Sequence, residues 1–363
     1  MGNLVGDNVK NFSKKTVIAV AAVVFVLFVI AIVGKHTNTK SIANNFDLST
    51  DKKSSDEPLT DTTFALDTFI TVSIYNGGDE NILKESMEFI RDYEMIFSAT
   101  NEAAELYKLN HREKGTMSVE VSDDLAYLID KALYYSEVSN GAFDITTEPL
   151  KELWDFNAEE PELPSDESIA KALPKVDYKK ISVEGNTVNF ISDDTRIDLG
   201  SIAKGYIADK TKEYLLSKGV DSAIINLGGN VLCIGKKPNG NNFTIGLQKP
   251  YADRNETVAL LTVDDESVVS SGVYERHFVI DGKNYHHILN PKTGYPYDNG
   301  LVEVSILTKS STEADALSTT CFSLGVEEGV KLLDSLPDTY GYFILSDYSI
   351  VYSEGAKEQL AKD

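Results

Sequence analysis

Cysteine and basic residues are scarce in this chain. Its 363 residues include only two cysteines, Cys233 and Cys321, too few for a disulfide-stapled mini-domain or a zinc site with four thiolate ligands. Lysine and arginine number 34 against 57 acidic residues, and the net charge of −23 argues against binding to a nucleic-acid backbone. Low-complexity sequence is absent too, and 42% hydrophobic residues suffice for a sizeable globular core.

The first organised feature is an uncharged apolar run at residues 16–34. At helical rise this run covers the ~30 Å hydrocarbon thickness of a bilayer, so it predicts a single transmembrane helix. Lys10, Lys14 and Lys15 precede it, which favours a cytoplasmic tail at residues 1–15 and an extracytoplasmic location for the rest. The alternative is a cleaved signal peptide, although the run exceeds the roughly 7–15 apolar residues typical of one.

The sequence after the apolar run is strongly acidic. Residues 1–34 hold three lysines and one aspartate, which leaves 31 basic against 56 acidic residues and a net charge of −25 downstream. Residues 35–61, rich in Thr, Ser, Asn, Asp and Lys, predict a flexible linker. The folded domain is therefore predicted at residues 62–363.

Both hydrophobic periods occur in the folded part. Strands are predicted at residues 63–75, 197–198, 223–226, 242–247, 257–263, 278–280 and 301–307, with a strand pair within 342–352 and short strands within 178–198. Helices are predicted after an N-cap at Ser122 and at residues 201–216, 313–324 and onward to 336. The connections are too irregular for a doubly wound fold, so the pattern predicts an α+β fold with mixed sheets and flanking helices.

Two glycine-containing turns follow predicted strands. The first passes from Asp198 through Gly200 into a helix with Lys204 in its first turn, where free N–H groups, the helix dipole and a lysine suit a phosphate. An acidic helix cap beside a solvated lysine is the alternative. In the second, Gly228 and Gly229 permit positive φ and close approach to a ligand, although a simple strand-ending turn explains them as well.

Two further segments carry polar residues in suggestive positions. His286 and His287 are adjacent, so on a strand they face opposite ways and at most one enters a given site; a structural role is the alternative. Asp315 and Thr319 are four residues apart and share a helix face, where they offer oxygens to one hard cation. Alternatively, Thr312 and Asp315 form a capping box that only ties down the helix N-terminus.

Taken together, these segments resemble one family, the FAD:protein FMN transferases or ApbE-like flavin transferases, from residue 63 to about residue 352. Six motifs appear in the family's order: residues 141–146 with Pro149 and Leu150, 198–206, 225–230, 271–276, 287–296 and 314–319. Such an ordered set is far more specific than any one of its members.

The resemblance implies an ApbE-like flavin transferase fold and a Mg²⁺-dependent enzyme. This enzyme would transfer FMN from FAD to a threonine or serine hydroxyl of an acceptor flavoprotein and release AMP. Asp315 and Thr319 match the side-chain metal ligands, and the backbone carbonyl of Ser201 completes the protein's share. Lys204 would act near the phosphates, and His287 matches the histidine implicated in catalysis. Oxygen ligands suit Mg²⁺ better than zinc.

The resemblance also implies a flavin-nucleotide site. Its predicted residues are Leu66, Thr100, Ala142, Phe143, Asp144, Asp198, Lys204, Gly228, Gly229, Asn230 and His287. Leu66 stands where the family often has methionine. A histidine with a near-neutral pKa suits deprotonation of the acceptor hydroxyl, with Asp144 or Asp198 as alternatives. Because the acidic domain repels a dianionic pyrophosphate at long range, a local cation and Lys204 become more important.

One departure from the family leaves the activity open. Ala104 replaces a serine in a segment that borders the nucleotide and helps to decide whether FAD is held or hydrolysed. The alternatives are an FAD pyrophosphatase that gives FMN and AMP, and a non-catalytic, surface-anchored FAD-binding protein. The family and the apolar run together favour an acceptor in an extracytoplasmic electron-transfer chain, but the sequence names neither the acceptor nor the oligomeric state.

Overall fold

A computed structural model of the chain describes residues 57–156, 158–253 and 256–362. The predicted cytoplasmic tail, the predicted transmembrane segment and residues 35–56 of the predicted linker lie outside these residues. Within the described part, no helix combines the length and apolar character needed to cross a membrane. The first strand begins at Leu59, three residues before the predicted start of the folded domain.

The described residues form fifteen β-strands and eight α-helices. The strands are β1 Leu59–Ala65, β2 Thr68–Asn76, β3 Ser118–Glu120, β4 Ile181–Glu184, β5 Thr187–Phe190, β6 Ser222–Leu227, β7 Asn230–Ile234, β8 Phe243–Gln248, β9 Thr257–Val263, β10 Ser267–Gly272, β11 His277–Ile280, β12 Lys283–His286, β13 Leu301–Thr308, β14 Tyr340–Leu345 and β15 Ile350–Tyr352. The helices are α1 Glu80–Phe97, α2 Glu105–Asn110, α3 Asp123–Val138, α4 Glu148–Lys151, α5 Asp166–Ala172, α6 Ala203–Ser217, α7 Ser311–Leu324 and α8 Val326–Leu333.

The largest sheet has eight strands in the order β1-β2-β6-β7-β10-β13-β14-β15, and every neighbouring pair is antiparallel. The small sheets β3-β5-β4, β8-β9 and β11-β12 are antiparallel as well. The α+β class is confirmed, but the expected mixture of strand directions is wrong for the described residues. Short turns join β1 to β2, β6 to β7 and β14 to β15, and only antiparallel strands allow such connections.

The large sheet separates two apolar cores. On one face, Ile225 of β6 is buried together with Ile90 of α1 and Ile207 of α6. On the other face, the β8-β9 sheet packs over a smaller cluster that includes the free, buried Cys233. Successive residues of a strand point to opposite faces, so Leu232 and Cys233 of β7 belong to different cores.

The helix and strand predictions were accurate where a local signal marked the boundary. Ser122 caps α3 by accepting the Leu125 N–H, as predicted, and the helix predicted at residues 201–216 corresponds to α6. The predicted strand ending at Asp198 is wrong. The backbone N–H of Asp198 donates to the carbonyl of Ile145, which lies in a loop distant in sequence. Residues 195–199 therefore join no sheet.

Two tight turns lie at the same end of the large sheet. Leu66 and Asp67 join β1 to β2, and Gly228 and Gly229 join β6 to β7; β2 and β6 are neighbours in the sheet. Asn230, the first residue of β7, reaches the start of α7 from this end through a hydrogen bond to Ser311. The end of the sheet therefore meets the helices that carry the site residues.

Candidate active site

Asp315 is the central buried carboxylate of the site. It lies on α7, and the residue is only 3% exposed. Its Oδ2 accepts the Gly205 N–H of α6 at 2.8 Å, and its Oδ1 lies 3.7 Å from the Lys204 Nζ. Burial raises the pKa of Asp315, and the Lys204 charge opposes that rise. Thus the two motifs predicted around Lys204 and Asp315 meet in space.

The capping-box alternative for Asp315 is wrong. The N-cap of α7 is Ser310, whose hydroxyl accepts the Glu313 N–H. Asp209 of α6 binds the same helix end and accepts the N–H groups of Ser311 and Thr312 at 2.9 Å. Since other residues satisfy the helix N-terminus, Asp315 is free to face the site.

Gly205 allows α6 and α7 to approach closely. A Cβ at this position would lie 2.2 Å from the backbone oxygen of Ser311 and 2.8 Å from the Cβ of Asp315. Gly205 is the third residue of α6, where a helix offers its N–H no internal acceptor, and this N–H donates to Asp315 instead. Ser201 precedes the N-cap of α6, so the helix does not use its carbonyl, a condition that suits a metal ligand.

We expect Gly205→Ala to destabilise the fold by about 1–3 kcal/mol, because its methyl group overpacks a backbone contact and this outweighs the better helix propensity of alanine. Urea unfolding measures the change. The matched control is Glu213→Ala on α6, an exposed ion-pair residue that should shift stability by less than about 0.5 kcal/mol. If Gly205→Ala were as stable as the parent, α6 and α7 could move apart to admit the methyl group without a cost in free energy of unfolding.

Three hydroxyl groups extend the site from Asp315 toward the end of β10. The Ser271 hydroxyl lies 3.0 Å from that of Thr319 and 2.7 Å from that of Ser318, which donates to the Asp315 carbonyl. Asp315 and Thr319 share the same helix face, as their spacing predicted.

The donor set fits a hard divalent cation. No group of three His, Cys, Asp or Glu side chains in the described part of the chain is arranged to hold a metal. A cation at this place would instead be held by one carboxylate of Asp315, the hydroxyl of Thr319 and the carbonyl of Ser201. Oxygen ligands of this kind are those that Mg²⁺ binds, with water filling the remaining positions.

Asp198 forms a partly buried ion pair that the sequence did not reveal. Lys151 Nζ lies 2.5 Å from its Oδ2, and the Gly200 N–H donates to its Oδ1 at 3.1 Å. Although burial acts to raise the pKa of Asp198, the Lys151 charge and these hydrogen bonds hold it below its usual range. The only sequence signal for Lys151 was its place directly after the Pro149-Leu150 motif.

The two adjacent histidines diverge as predicted. His286 is buried, and its Nε2 donates to the carbonyl of Tyr297 at 2.8 Å, so its role is structural. His287 donates its backbone N–H, and Nδ1–H at 3.3 Å, to the carbonyl of Arg276. A carbonyl only accepts, so this bond leaves the Nε2 lone pair of His287 free.

The expected near-neutral pKa of His287 is wrong, because its pKa is about 3. Burial lowers it most, and the charges of Arg276 and Lys204 lower it further. His287 is therefore neutral at physiological pH. Because the charge of Lys204 acts on the pKa of His287, and Lys204 lies beside Asp315, His287 belongs to the same part of the site.

The Gly228-Gly229 segment is a hairpin turn. Gly228 has φ of 64°, and a Cβ there would lie 2.2 Å from the Thr68 Oγ1. The strand-ending alternative thus accounts for both glycines. Asn230 adds a different feature: its Oδ1 accepts the Ser311 hydroxyl at 2.7 Å, while its buried Nδ2 has no partner among the described residues.

The Leu66 turn borders the same end of the sheet. Leu66 and Asp67 have φ of 52° and 57°, an unfavourable conformation for leucine that tertiary contacts hold in place. The Leu66 N–H donates to Glu94, and the Arg276 guanidinium donates to the Asp67 carbonyl at 3.3 Å. Through Arg276, this turn connects to His287.

The remaining predicted residues are not joined to the Asp315 cluster by the described contacts. Phe143 is 3% exposed and packs in the main core, while the Ala142 carbonyl accepts the Tyr297 hydroxyl. Asp144 accepts two bonds from Thr146 and one from Tyr178, and burial raises its pKa. These bonds make Asp144 a structural residue of its loop in this conformation. Contact of these residues with flavin stays a prediction.

The segment that departs from the family pattern is the loop before α2. Thr100 is exposed, and its hydroxyl lies 3.4 Å from that of Ser98. Ala104 is the N-cap of α2 and is fully buried, with no side-chain hydrogen bond. A serine at this position would supply the missing capping oxygen.

The fold and the site together define an α+β protein in which lysine charge and oxygen donors converge beside one end of an antiparallel sheet. The chain belongs to the ApbE family, whose model matches residues 66–344.

Individual relatives agree with this family. A Klebsiella pneumoniae FAD:protein FMN transferase is 35% identical over 286 residues, covering 78% of this chain and 88% of its own. A Treponema pallidum protein of the same name is 32% identical, covering 77% and 81%. The crystal structure of an ApbE protein from Thermotoga maritima superposes with a TM-score of 0.76 at 32% identity, covering 84% of this chain and all of that one.

Proposed function

We propose that this protein is an FAD:protein FMN transferase. It transfers FMN from FAD to a threonine or serine hydroxyl of an acceptor flavoprotein, requires Mg²⁺ and releases AMP. The observation that carries the proposal is the meeting of Lys204, Asp315 and the Ser271–Thr319 hydroxyls, which come from α6, α7 and β10. The names of the relatives from Klebsiella pneumoniae and Treponema pallidum support the same reaction.

The positive and metal-binding groups have distinct roles in this proposal. Lys204 attracts the dianionic pyrophosphate of FAD, which the net charge of the protein otherwise repels. Asp315, Thr319 and the Ser201 carbonyl would hold Mg²⁺, which, when bound, supplies electrostatic stabilisation of the charge that develops on the pyrophosphate oxygens.

His287 is the proposed proton acceptor. The acceptor hydroxyl loses its proton to the free Nε2 of His287, while Nδ1–H stays bonded to the Arg276 carbonyl. The hydroxyl oxygen forms a bond to the FMN phosphorus as the bond to the AMP oxygen breaks, and AMP leaves with the electron pair. Asp198 is paired with Lys151, and Asp144 accepts the Tyr178 N–H, so neither carboxylate is as free as the Nε2 of His287 to accept the proton.

A mass measurement tests the activity. The full chain is incubated with FAD, Mg²⁺ and a peptide that contains a threonine, and we expect the peptide to gain the mass of FMN while AMP is released. The control peptide carries valine in place of threonine. Free FMN and AMP with an unmodified peptide would identify a pyrophosphatase, and tightly bound intact FAD without products would identify a carrier.

Metal removal should stop the reaction. We expect excess EDTA to lower the rate of AMP release by about 10²-fold or more, because the site loses several kcal/mol of charge stabilisation. Added Mg²⁺ should restore the rate. Undiminished AMP release in EDTA would contradict a metal-dependent reaction.

We also propose that residues 16–34 anchor the protein as a single-pass membrane protein with residues 62–363 on the extracytoplasmic side, where the acceptor belongs to an electron-transfer chain. The length of the apolar run and the preceding lysines support this arrangement. Protease added to intact cells should digest the folded domain; complete protection there, with digestion after lysis, would contradict the orientation.

A further inference from the structure

A buried carboxylate, Glu148, lies beside the Asp198–Lys151 pair and has no part in the proposed reaction. Glu148 is 7% exposed, and its Oε2 has no hydrogen-bond partner among the described residues. Lys151 Nζ lies 3.8 Å from this oxygen but 2.5 Å from the Asp198 Oδ2. The single lysine is therefore committed to Asp198.

The hydrogen bonds show which of the two carboxylates retains a proton. Asp198 accepts bonds from Lys151 and from the Gly200 N–H, which stabilise its ionised form. Glu148 is buried without such a bond to Oε2, so its ionised form is unfavourable. Burial and the neighbouring Asp198 charge raise the pKa of Glu148 to about 7.

Other charged groups also surround Glu148. Lys151 on its own helix and Arg196 on the segment before Asp198 favour its ionised form, whereas Glu152 opposes it. Arg196 is itself paired with Glu152, and Arg276 acts on the Asp198 and Lys151 charges. Below the pKa of Glu148, the two carboxylates therefore carry one negative charge, on Asp198, which faces Lys151.

We propose that Glu148 is a positioning residue which, while protonated, keeps Lys151 on Asp198 and leaves this side of the FAD site without a second negative charge. The inference rests on the proposed function, because it requires FAD to bind beside Asp198. Once ionised, Glu148 competes for Lys151 and adds a charge that repels the dianionic pyrophosphate. The affinity for FAD should therefore fall as the pH rises through the titration of Glu148.

The single tryptophan provides a direct readout of FAD binding. Trp154 follows Lys151 by three residues and is buried, and it is the only tryptophan in the chain. FAD is titrated into the full chain in the presence of Mg²⁺ and without acceptor, quenching of Trp154 fluorescence is followed, and chromatography verifies that FAD stays intact. For the parent we expect the Kd to rise by about tenfold from pH ~5.5 to ~8.5, which corresponds to a shift of about one pKa unit on binding.

Glu148→Gln keeps the shape and neutrality of the protonated side chain. We expect it to hold the Kd near the low-pH value of the parent at every pH, which a merely structural glutamate would not produce. The matched control is Glu152→Gln, a more exposed neighbour on the Arg196 side, which should retain the pH dependence of the parent. His287 is neutral in the free protein over this range, because its pKa is about 3. A proton that His287 gained on FAD binding would leave the pH dependence unchanged in Glu148→Gln, so this variant separates the two residues.

Stability gives a second test that does not require FAD. A pKa raised from 4.5 to about 7 means that the folded state binds the proton more tightly, so the parent should lose stability relative to Glu148→Gln as the pH rises from about 4.5 to about 7. The melting temperature of Glu148→Gln should exceed that of the parent at pH ~8.

Three results would overturn the inference, and they differ from one another. The first is a pH dependence of the Kd in Glu148→Gln that equals that of the parent. The second is a Kd for FAD that Glu148→Gln raises by the same factor at every pH. Either result would rule out the positioning role while leaving the proposed function intact. A parent that binds no FAD at any pH would overturn both the proposed function and the inference.

Discussion

Asp315→Ala should lower the rate of FMN transfer by about 10³-fold or more. The substitution removes the only carboxylate among the three proposed metal ligands and leaves Lys204 without its partner, so the charge that develops on the pyrophosphate is poorly stabilised. The rate of peptide modification, followed by mass spectrometry in the presence of saturating FAD and Mg²⁺, measures the loss.

Two further variants separate charge from helix packing. Asp315→Asn keeps an oxygen that can accept the Gly205 N–H, so it should retain the fold but lose nearly as much activity as alanine. Glu313→Ala on the same helix removes a partly exposed partner of Lys131 and should keep close to full activity. Full activity in Asp315→Ala, with the fold intact, would disprove the metal assignment.

The sequence could predict the parts of the fold that local signals specify. The Ser122 cap, the strand at residues 257–263 and the glycine turn at 228–229 each depend on neighbouring residues, and each corresponds to an observed element. The strand prediction for the segment ending at Asp198 failed because the hydrogen bonds of this segment go to residues distant in sequence. An apolar run alone does not reveal whether a strand partner exists.

The site shows the same division between local and long-range information. The shared face of Asp315 and Thr319 follows from helix periodicity, so spacing predicted it. The pairing of Lys151 with Asp198 and the capping of α7 by Asp209 bridge 47 and more than 100 residues respectively, and no local pattern encodes them. The contacts of Asp209 helped to decide between alternatives that the sequence left open, because Ser310 and Asp209 together cap α7 and leave Asp315 free.

The low pKa of His287 could not be predicted either, because it depends on burial and on charges from other segments. It also changes the chemical expectation. A histidine with a pKa of about 3 is a weak base in the free protein, but a dianionic pyrophosphate that pairs with Arg276 and Lys204 offsets the charges that lower it. FAD binding should therefore raise the basicity of His287 just where the acceptor hydroxyl must lose its proton.

His287→Ala should reduce kcat by about 10²–10⁴-fold while changing the Kd for FAD by less than about threefold, because the free Nε2 serves proton transfer and not nucleotide binding. Time courses of peptide modification at saturating FAD give kcat, and quenching of Trp154 fluorescence by FAD gives the Kd. His111→Ala, an exposed histidine stacked on Tyr107, is the control and should behave like the parent.

The pH profile of the parent tests the same role. His287 accepts a proton only while neutral, so the acid limb that it causes in kcat/KM should lie near pH 3, whereas the limb in kcat should lie at higher pH because the bound anion raises the pKa of His287. Both limbs should disappear in His287→Ala. A variant that retains kcat, or whose loss is entirely explained by weaker FAD binding, would assign proton transfer to another group.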